Sequence, residues 1–489
     1  MSSSRVHGLF AHSLIYWLGT MLTKMIGFLL IPLYTRYLIP EDYGTLELVS
    51  LTADILAILV GAQISTAVFK FYHQEKEHAG KKHIISTAII GIAIIAGVSL
   101  LILGLCAGIL SNLIFGHTEN AILLRLMFLG YFFSLLEEVP LAYIRLLDKS
   151  KLYVVITMMQ ILSMISLNVY FVAVLHYGVF GILLGMSIAF SLTCVVLIYK
   201  TLMITGARLV VLRLKEMLRY SLPLIPATVS LFVLNFSDRF LLNHYTSLGD
   251  VGIYSLAYKF GFILMPIVVT PFYLIWQSKM FEFYDHENRT ALYNNVMSIF
   301  LVALCSGYLL ISGYINEVLR IMVTDNYYAA GLYVPIIAAA YLCNGINQMF
   351  LAPLYAEKKT KRIGLINTIA AILNVSLNLI IIPRYGIAGA AATTLVSFIF
   401  ILSYTIVESN KVSRLQWEWM RFSKIISITA VTVLILYNVQ IANIFMSIFV
   451  KTVILSCALF LLFYSGYFSR EQISYIKEKL PLVKWVVKF

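Results

Sequence analysis

The chain of 489 residues is poor in charge, since Asp, Glu, Lys and Arg together make up only 12% of it. A soluble domain normally carries about 25% of these residues. The apolar fraction is 61%, and the mean hydropathy is +0.89. These values exclude a soluble globular domain, a disordered chain and a small disulfide scaffold. They indicate a protein that crosses a membrane several times.

The sequence also lacks the patterns of catalytic and metal centres. Its five cysteines all lie within apolar runs and show no paired spacing, so we predict neither a disulfide nor a metal site. There is no glycine-rich phosphate loop, no Cys/His ligand spacing and no Gly-x-Ser-x-Gly element. Because a catalytic centre needs a nucleophile, a base or a metal in a pocket, we predict no catalytic residue, no cofactor and no enzymatic activity.

What the sequence contains is a series of apolar segments of about 20–28 residues, which is the length of a transmembrane helix. We therefore predict an all-α polytopic membrane protein with fourteen transmembrane helices. The predicted spans are 12–36, 43–70, 84–110, 120–147, 152–175, 179–203, 219–243, 250–278, 291–315, 328–354, 362–383, 386–408, 421–439 and 443–467.

The basic residues test this arrangement of spans, because they gather on the cytoplasmic side of membrane proteins. With the first segment placed in the cytoplasm, the segments predicted to be cytoplasmic hold 28 of the 36 Lys and Arg residues, and the outer segments hold three. The formal net charge of +13 is therefore read as loop charge and not as a nucleic-acid-binding surface. We predict a multi-pass protein of the bacterial plasma membrane with both termini in the cytoplasm.

The chain contains an internal repeat. A shift of 208 residues superposes Asp42 and Gly44 on Asp250 and Gly252, together with six further identities in 32 columns. The same shift superposes Tyr177, Gly178 and Gly181 on Tyr385, Gly386 and Gly389 at the far end of the unit. The shift covers six spans, an even number, so both copies enter the membrane in the same direction and form a parallel repeat.

The repeat divides the chain into two lobes and an appendix. We predict an N-lobe over 1–204, a basic cytoplasmic connector over 205–218 and a C-lobe over 219–412. Two further spans follow over 413–467. The tail over 468–489 has apolar residues at helical spacing among lysines, which is typical of an amphipathic helix at the membrane surface.

Charged side chains inside the spans are the candidate functional residues. Each costs about 2.5–3.5 kcal/mol at a helix centre, so such residues tend to face a bundle interior or a water-filled cavity. The basic candidates for substrate binding are Lys24, Arg36, Arg239 and Lys259, and the acidic candidates for charge compensation or ion coupling are Asp54 and Asp238. All six lie on spans 1, 2, 7 and 8, the leading helices of the two repeats, which we expect to line a central cleft.

Each candidate has a structural alternative. Asp238 and Arg239 can form a buried pair, and Arg36 can pair with Glu47 or reach the interface. Lys24 has no acidic residue on its own helix, and its depth prevents easy snorkelling, so a functional role is favoured. Lys451, in the appended span 14, is expected to snorkel. Span 1 has two cations and no acid, which suits an anionic substrate group such as a phosphate or pyrophosphate.

Four segments resemble the span junctions of bacterial polysaccharide export proteins, the O-antigen-repeat flippases. They are LYTRYLIPEDYGTLEL at Leu33 to Leu48, YSLPLIP at Tyr220 to Pro226, NFSDRFLL at Asn235 to Leu242 and VGIYSLAYKF at Val251 to Phe260. The resemblance covers roughly residues 10–410. It implies the two-lobed, V-shaped fold shared with multidrug extrusion proteins and the lipid II flippase.

The resemblance also implies a function. Such proteins move an undecaprenyl-pyrophosphate-linked oligosaccharide, the repeat unit of an O-antigen, capsule or exopolysaccharide, from the cytoplasmic to the outer leaflet by ion-gradient-driven alternating access. Related flippases have a cationic central cavity with basic residues on span 1, where Lys24 and Arg36 lie here. The expected partners are the lipid-linked glycan, membrane lipid and polysaccharide polymerase or assembly proteins, with no nucleic acid.

Two alternatives of the same fold stay open. A multidrug or cation antiporter would be expected to have a carboxylate on span 1, which this chain lacks. A lipid II flippase shares the fold and the cationic cleft. A membrane-bound glycan polymerase or ligase is disfavoured, because the longest outer gap, Asn316 to Tyr327, is short.

Overall fold

The computed structural model describes residues 27–413, 415–439, 441 and 443–465. This part of the chain contains no β-strand, and its α-helices are numbered α1 to α17 in chain order. Their bounds are α1 Ile31–Tyr37, α2 Pro40–Gly61, α3 Ile64–Gln74, α4 His78–Leu105, α5 Ala107–Phe115, α6 Ala121–Leu146, α7 Ser150–Asn168, α8 Gly178–Thr205, α9 Val211–Ser221, α10 Ile225–Tyr245, α11 Leu248–Phe262, α12 Thr270–Tyr284, α13 Arg289–Met322, α14 Val334–Ala356, α15 Thr360–Val412, α16 Trp419–Asn438 and α17 Ile444–Ser465.

Eleven stretches of the described chain are long and apolar enough to cross a membrane, which confirms an all-α polytopic membrane protein. The number fourteen stays a prediction. Most of predicted span 1 lies outside the described residues, and α6, which coincides with predicted span 4, carries several charges. The predicted spans 11 and 12 are joined in the single element α15 of 53 residues, whose backbone departs from helical geometry at Gly386.

The repeat found in the sequence is visible in the backbone. Gly178 has a φ of 55°, and its counterpart Gly386 has a φ of 52°. This left-handed region is one that residues with a Cβ rarely adopt, which accounts for glycine at both positions. Two glycines 208 residues apart therefore form the same bend before the sixth span of each copy.

The described helices form two compact units. The first comprises residues 27–256, Met322–Tyr327 and Ala371–Ala390. Within it α6 packs against α8, α4 and α2, and α10 packs against α2. Gly130 permits the close approach of α8, where the Ser187 hydroxyl donates a hydrogen bond of 3.0 Å to the Leu126 carbonyl. The predicted boundaries between lobes stay a prediction.

The second unit comprises Ala257–Ile321, Tyr328–Ala370 and the described residues from Ala391 onward. It includes the two appended helices, α16 and α17, which pack against each other. Lys451 of α17 is 4% exposed, and its Nζ lies 2.7 Å from Oε1 of Glu317 on α13. The prediction that Lys451 snorkels is wrong, because a carboxylate 134 residues earlier in the chain neutralises it inside the bundle.

The predicted connector contains the start of α9. Two hydroxyls of α4 form hydrogen bonds with its backbone. Ser86 donates to the Arg208 carbonyl at 2.8 Å, and Thr87 accepts from the Val210 amide at 3.0 Å. Val211 and Leu212 at the beginning of α9 are exposed. The predicted amphipathic tail lies outside the described residues.

Candidate functional site

A cavity of about 590 Å³ lies within the first unit, between helices α2, α6 and α10. Its ionisable lining consists of Asp54 from α2 and Glu138 and Arg145 from α6, together with Tyr131 and Tyr153. Phe232 and Phe236 of α10 supply an apolar wall. The described lining thus combines two carboxylates, one guanidinium and aromatic rings, a composition suited to a ligand with polar and ionic groups.

One face of α6 supplies most of the polar lining. Tyr131, Leu135, Glu138 and Arg145 line the cavity at intervals of four, three and seven residues, which places them on the same face of a helix. From Tyr131 to Arg145 this face extends for about 21 Å at 1.5 Å per residue. The cavity therefore follows α6 toward the end that the charge count assigns to the cytoplasm.

One carboxylate of the cavity has a clear hydroxyl partner. The Tyr131 hydroxyl donates a hydrogen bond to Asp54 Oδ1. Ser65, near the start of α3, lines the same cavity as Glu138. The hydrogen bond from Tyr131 orients the Asp54 carboxylate toward α6.

Arg145 is the basic member of this lining, and it is held differently. Its Cζ lies over the Phe69 ring at 5.1 Å and over the Tyr153 ring at 5.7 Å. Its Nε is buried and has no hydrogen-bond partner in the part of the chain that the structure describes. Arg145 and Glu138 line the same cavity, seven residues apart along α6.

A second carboxylate on α6 points elsewhere. Glu137 is 4% exposed, and the side-chain amide of Gln160 on α7 donates to both of its oxygens at 2.8 Å. The adjacent acids of α6 therefore point in different directions, Glu137 into the interior of the unit and Glu138 into the cavity.

Asp238 and Arg239 form a buried network on α10. Arg239 donates to Asp238 Oδ1 at 2.7 Å, the Tyr254 hydroxyl donates to Asp238 Oδ2 at 2.5 Å, and both members of the ion pair are 1% exposed. The Arg239 Cζ lies 5.2 Å from the centre of the Phe236 ring, which forms the cavity wall. In this conformation the pair lies behind that wall and has the geometry of the structural alternative.

The remaining predicted site residues are dispersed. Lys24 lies outside the described residues. Arg36 is exposed at the end of α1, and Lys259 is half-buried in α11 and has an interaction partner. Of the six predicted residues, Asp54 is the one found in the lining of this cavity. The cationic character of the cleft therefore stays a prediction that depends on Lys24 and Arg36.

Sequence reasoning missed Arg145 and Tyr131 as site residues. Arg145 was counted with the loop cations, because it lies in the last turn of α6. The signal that identifies it is the seven-residue interval to Glu138, which places both charges on the face that bears Tyr131. Across the described residues, no three His, Cys, Asp or Glu side chains come together in a way that could hold a metal ion.

The fold is similar to that of solved membrane transport proteins. The solved structure of the lipid II flippase MurJ in an inward closed conformation matches with a TM-score of 0.76 at 15% identity, covering 92% of this chain and 98% of that chain. An inward-facing multidrug resistance MATE family transporter of the MOP superfamily matches with a TM-score of 0.61 at 13% identity, covering 80% and 95%. A variant of the Vibrio cholerae MATE transporter VcmN matches with a TM-score of 0.58 at 15% identity, covering 85% and 98%.

The sequence also assigns the chain to a family. The family model described as "Polysaccharide biosynthesis protein" matches residues 9–275, more than half of the chain. The chain belongs to this polysaccharide biosynthesis family. No curated protein matches it in sequence. The predicted relation to multidrug extrusion proteins and the lipid II flippase is confirmed at the level of the fold.

Proposed function

We propose that this chain translocates an undecaprenyl-pyrophosphate-linked oligosaccharide, such as an O-antigen, capsule or exopolysaccharide repeat unit, from the cytoplasmic to the outer leaflet of the bacterial plasma membrane. The observation that carries the proposal is the charged and aromatic cavity inside a helical bundle of the polysaccharide biosynthesis family. Membrane helices retain such charges chiefly where they face a cavity or a pathway.

The chemistry of the lining is compatible with a glycan. Carboxylates, tyrosine hydroxyls and a glutamine accept and donate hydrogen bonds to sugar hydroxyls, and rings such as Phe232 provide apolar surface. Lys24 and Arg36, with Arg239 and Lys259, neutralise the pyrophosphate while the lipid tail remains in the bilayer. For Arg239 this role requires the pair with Asp238 to open.

Transport proceeds by alternating access of the two lobes, driven by an ion gradient. Asp54 and Asp238 compensate or relay charge during the cycle. Polysaccharide polymerase and assembly proteins receive the product at the outer leaflet. The chain acts as a carrier and not as an enzyme, since movement of an intact lipid-linked glycan requires no bond to be made or broken.

Deletion of the gene in its host tests this function. The expected result is loss of surface polymer, with undecaprenyl-linked repeat units accumulating on the cytoplasmic face. Normal surface polymer in the deletion strain would overturn the proposal. Re-expression of the full chain is the control, and it should restore the surface polymer.

Two observations support second candidates. The likeness to the MurJ structure favours a lipid II flippase, which complementation of a strain depleted of its own lipid II flippase would detect. Asp54 and Glu138 in the cavity favour a cation or multidrug antiporter, because carboxylates pair with cationic substrates. Altered drug susceptibility with normal surface polymer in the deletion strain would support the antiporter.

A further inference from the structure

We infer that Arg145 binds the phosphate groups of the substrate at the inner end of the cavity, and that Glu138 competes with them for it. This inference rests on the proposed function and adds to it a residue that the charges on spans 1, 2, 7 and 8 do not include. It assigns opposite ends of one cavity to different parts of the substrate. The phosphates bind first at Arg145, and the sugar hydroxyls lie toward Asp54 and Tyr131.

The contacts of Arg145 leave its hydrogen-bonding groups available. Phe69 and Tyr153 contact the guanidinium through their ring faces, which stabilises the charge without accepting its N–H groups in a conventional hydrogen bond. The buried Nε has no hydrogen-bond partner within the described part of the chain. A planar guanidinium held by aromatic rings is well suited to bind the oxygens of a phosphate in a bidentate manner.

The backbone beside Arg145 adds to the positive potential. The helix formed by α2 and α3 is interrupted at Ala62 and Gln63, whose φ angles are 49° and 53°. Gln63 and Ser65, at the start of α3, line the same cavity as Arg145. The N-terminus of α3, which has 11 residues, carries a partial positive charge, and broken transmembrane helices commonly direct such ends at anionic substrate groups.

Glu138 is an acidic residue in the same part of the cavity as Arg145 and the N-terminus of α3. Its carboxylate lines the same cavity as Arg145, on the same face of α6 and seven residues away, and the two side chains do not approach to ion-pair distance. An entering phosphate is therefore attracted by Arg145 and repelled by Glu138. This arrangement permits binding and release, because the carboxylate restores the charge balance of the region when the phosphate leaves.

The depth of the cavity agrees with this assignment. Arg145 lies in the last turn of α6, at the end that the charge count assigns to the cytoplasm, where the phosphates of a lipid in the inner leaflet lie. Tyr131 lies about four turns before Arg145 in α6, toward the interior of the membrane, and its hydroxyl donates a hydrogen bond to Asp54 of α2. The substrate phosphates meet Arg145 first, and the glycan then extends toward Asp54 and Tyr131.

Binding to the purified full chain tests the inference. The probes are labelled undecaprenyl pyrophosphate, undecaprenol, inorganic pyrophosphate and phosphatidylglycerol. Arg145→Gln is expected to weaken binding of undecaprenyl pyrophosphate about tenfold, the effect of losing one charged hydrogen-bonding partner, and Arg145→Lys is expected to lose less. Arg125→Gln is the matched control, because Arg125 is exposed on the same helix, and it should bind as the unchanged chain does.

A second variant keeps the test decisive if Arg145→Gln does not fold. Glu138→Gln removes the competing charge and is expected to tighten binding of undecaprenyl pyrophosphate several-fold, with no effect on undecaprenol. Competition by inorganic pyrophosphate distinguishes recognition of the phosphates alone from recognition of the whole lipid. Equal competition by phosphatidylglycerol would show that any anionic lipid is bound, which overturns the inference.

The possible failures are distinguishable. If the unchanged chain binds neither undecaprenyl pyrophosphate nor inorganic pyrophosphate, the proposed substrate is wrong. If the unchanged chain binds undecaprenyl pyrophosphate and both the Arg145→Gln and Glu138→Gln variants bind it equally well, the proposed function stands and the role of Arg145 is wrong.

Discussion

Gly44 and Gly252 contact each other across the boundary between the two repeats, and the contact is symmetric. A Cβ on Gly44 would overlap the carbonyl oxygen of Leu248 and lie 3.1 Å from the Gly252 amide nitrogen. A Cβ on Gly252 would overlap the carbonyl oxygen of Pro40 and lie 3.1 Å from the Gly44 amide nitrogen. Each atom of one contact is 208 residues from its counterpart in the other, so this contact has the same offset as the repeat in the sequence.

Substitution of either glycine is expected to separate α2 from α11. Gly44→Ala and Gly252→Ala should each lower the free energy of unfolding by about 1–3 kcal/mol, because the new methyl group meets backbone that cannot move aside independently. The two effects should be similar in size and less than additive, since both substitutions disrupt the same contact between α2 and α11. Thermal unfolding of the purified full chain measures them.

Gly108 provides the control for these substitutions. It lies within α5, and a Cβ there would meet no atom within 4 Å. Gly108→Ala should therefore leave stability unchanged or raise it by up to about 1 kcal/mol. If the Gly44→Ala and Gly252→Ala variants unfold at the temperature of the Gly108→Ala variant, the proposed symmetric contact is not present in the membrane protein.

The pair formed by Glu317 and Lys451 is expected to hold α17 against α13. Lys451→Met leaves a buried carboxylate without its partner and should cost about 3–5 kcal/mol, whereas the double change with Glu317→Gln should recover most of that loss. The exposed pair Lys279–Glu282 is the control, and Lys279→Met should cost less than about 1 kcal/mol. Equal unfolding temperatures for the single and double variants of the buried pair would contradict the account.

Substitution of Arg239 distinguishes a structural role of this residue from a role in substrate binding. Its burial with Asp238 predicts that Arg239→Gln lowers the amount of folded protein in the membrane, because the change removes one charge of a buried ion pair. A residue that only binds substrate would instead lose export at a normal protein level. The measurement is surface polymer normalised to the amount of detergent-extracted, monodisperse chain, and normal folding with lost export would assign Arg239 to the substrate.

Lys24 is expected to contribute charge to substrate binding. Lys24→Ala should abolish surface polymer without loss of protein, and Lys24→Arg should retain much of it, because arginine preserves the positive charge. Export assays of the two variants at matched protein level measure this difference. Normal export by Lys24→Ala would show that the pyrophosphate is neutralised elsewhere.

The sequence predicts the membrane fold and the repeat because both depend on patterns that are regular along the chain. Apolar segments set the helices, and the 208-residue shift identifies the matching bends at Gly178 and Gly386. The site is less predictable. Lys451 and Glu317 are 134 residues apart, so only tertiary packing reveals that they neutralise each other.

Arg145 shows a second reason why the site is harder to predict from the sequence than the fold. From sequence, a basic residue at a helix end is interpreted as loop charge that sets the topology. For Arg145 this interpretation agrees with the count of Lys and Arg residues on the two sides of the predicted spans. Its position in the cavity depends on which face of α6 is turned toward α2 and α10, and this is decided by packing contacts such as that of Gly130 with Ser187. Periodicity on α6 marks a polar face but does not identify the helices that face it.

Translocation by the purified chain tests the central claim most directly. The full chain is reconstituted into vesicles that carry labelled undecaprenyl-pyrophosphate-linked oligosaccharide, and an ion gradient is imposed. The fraction of glycan accessible to an added glycosidase is then followed over time. The account predicts that the chain and the gradient together move the glycan between leaflets, and that Lys24→Ala vesicles do not. Equal rates in vesicles with and without the chain would contradict it.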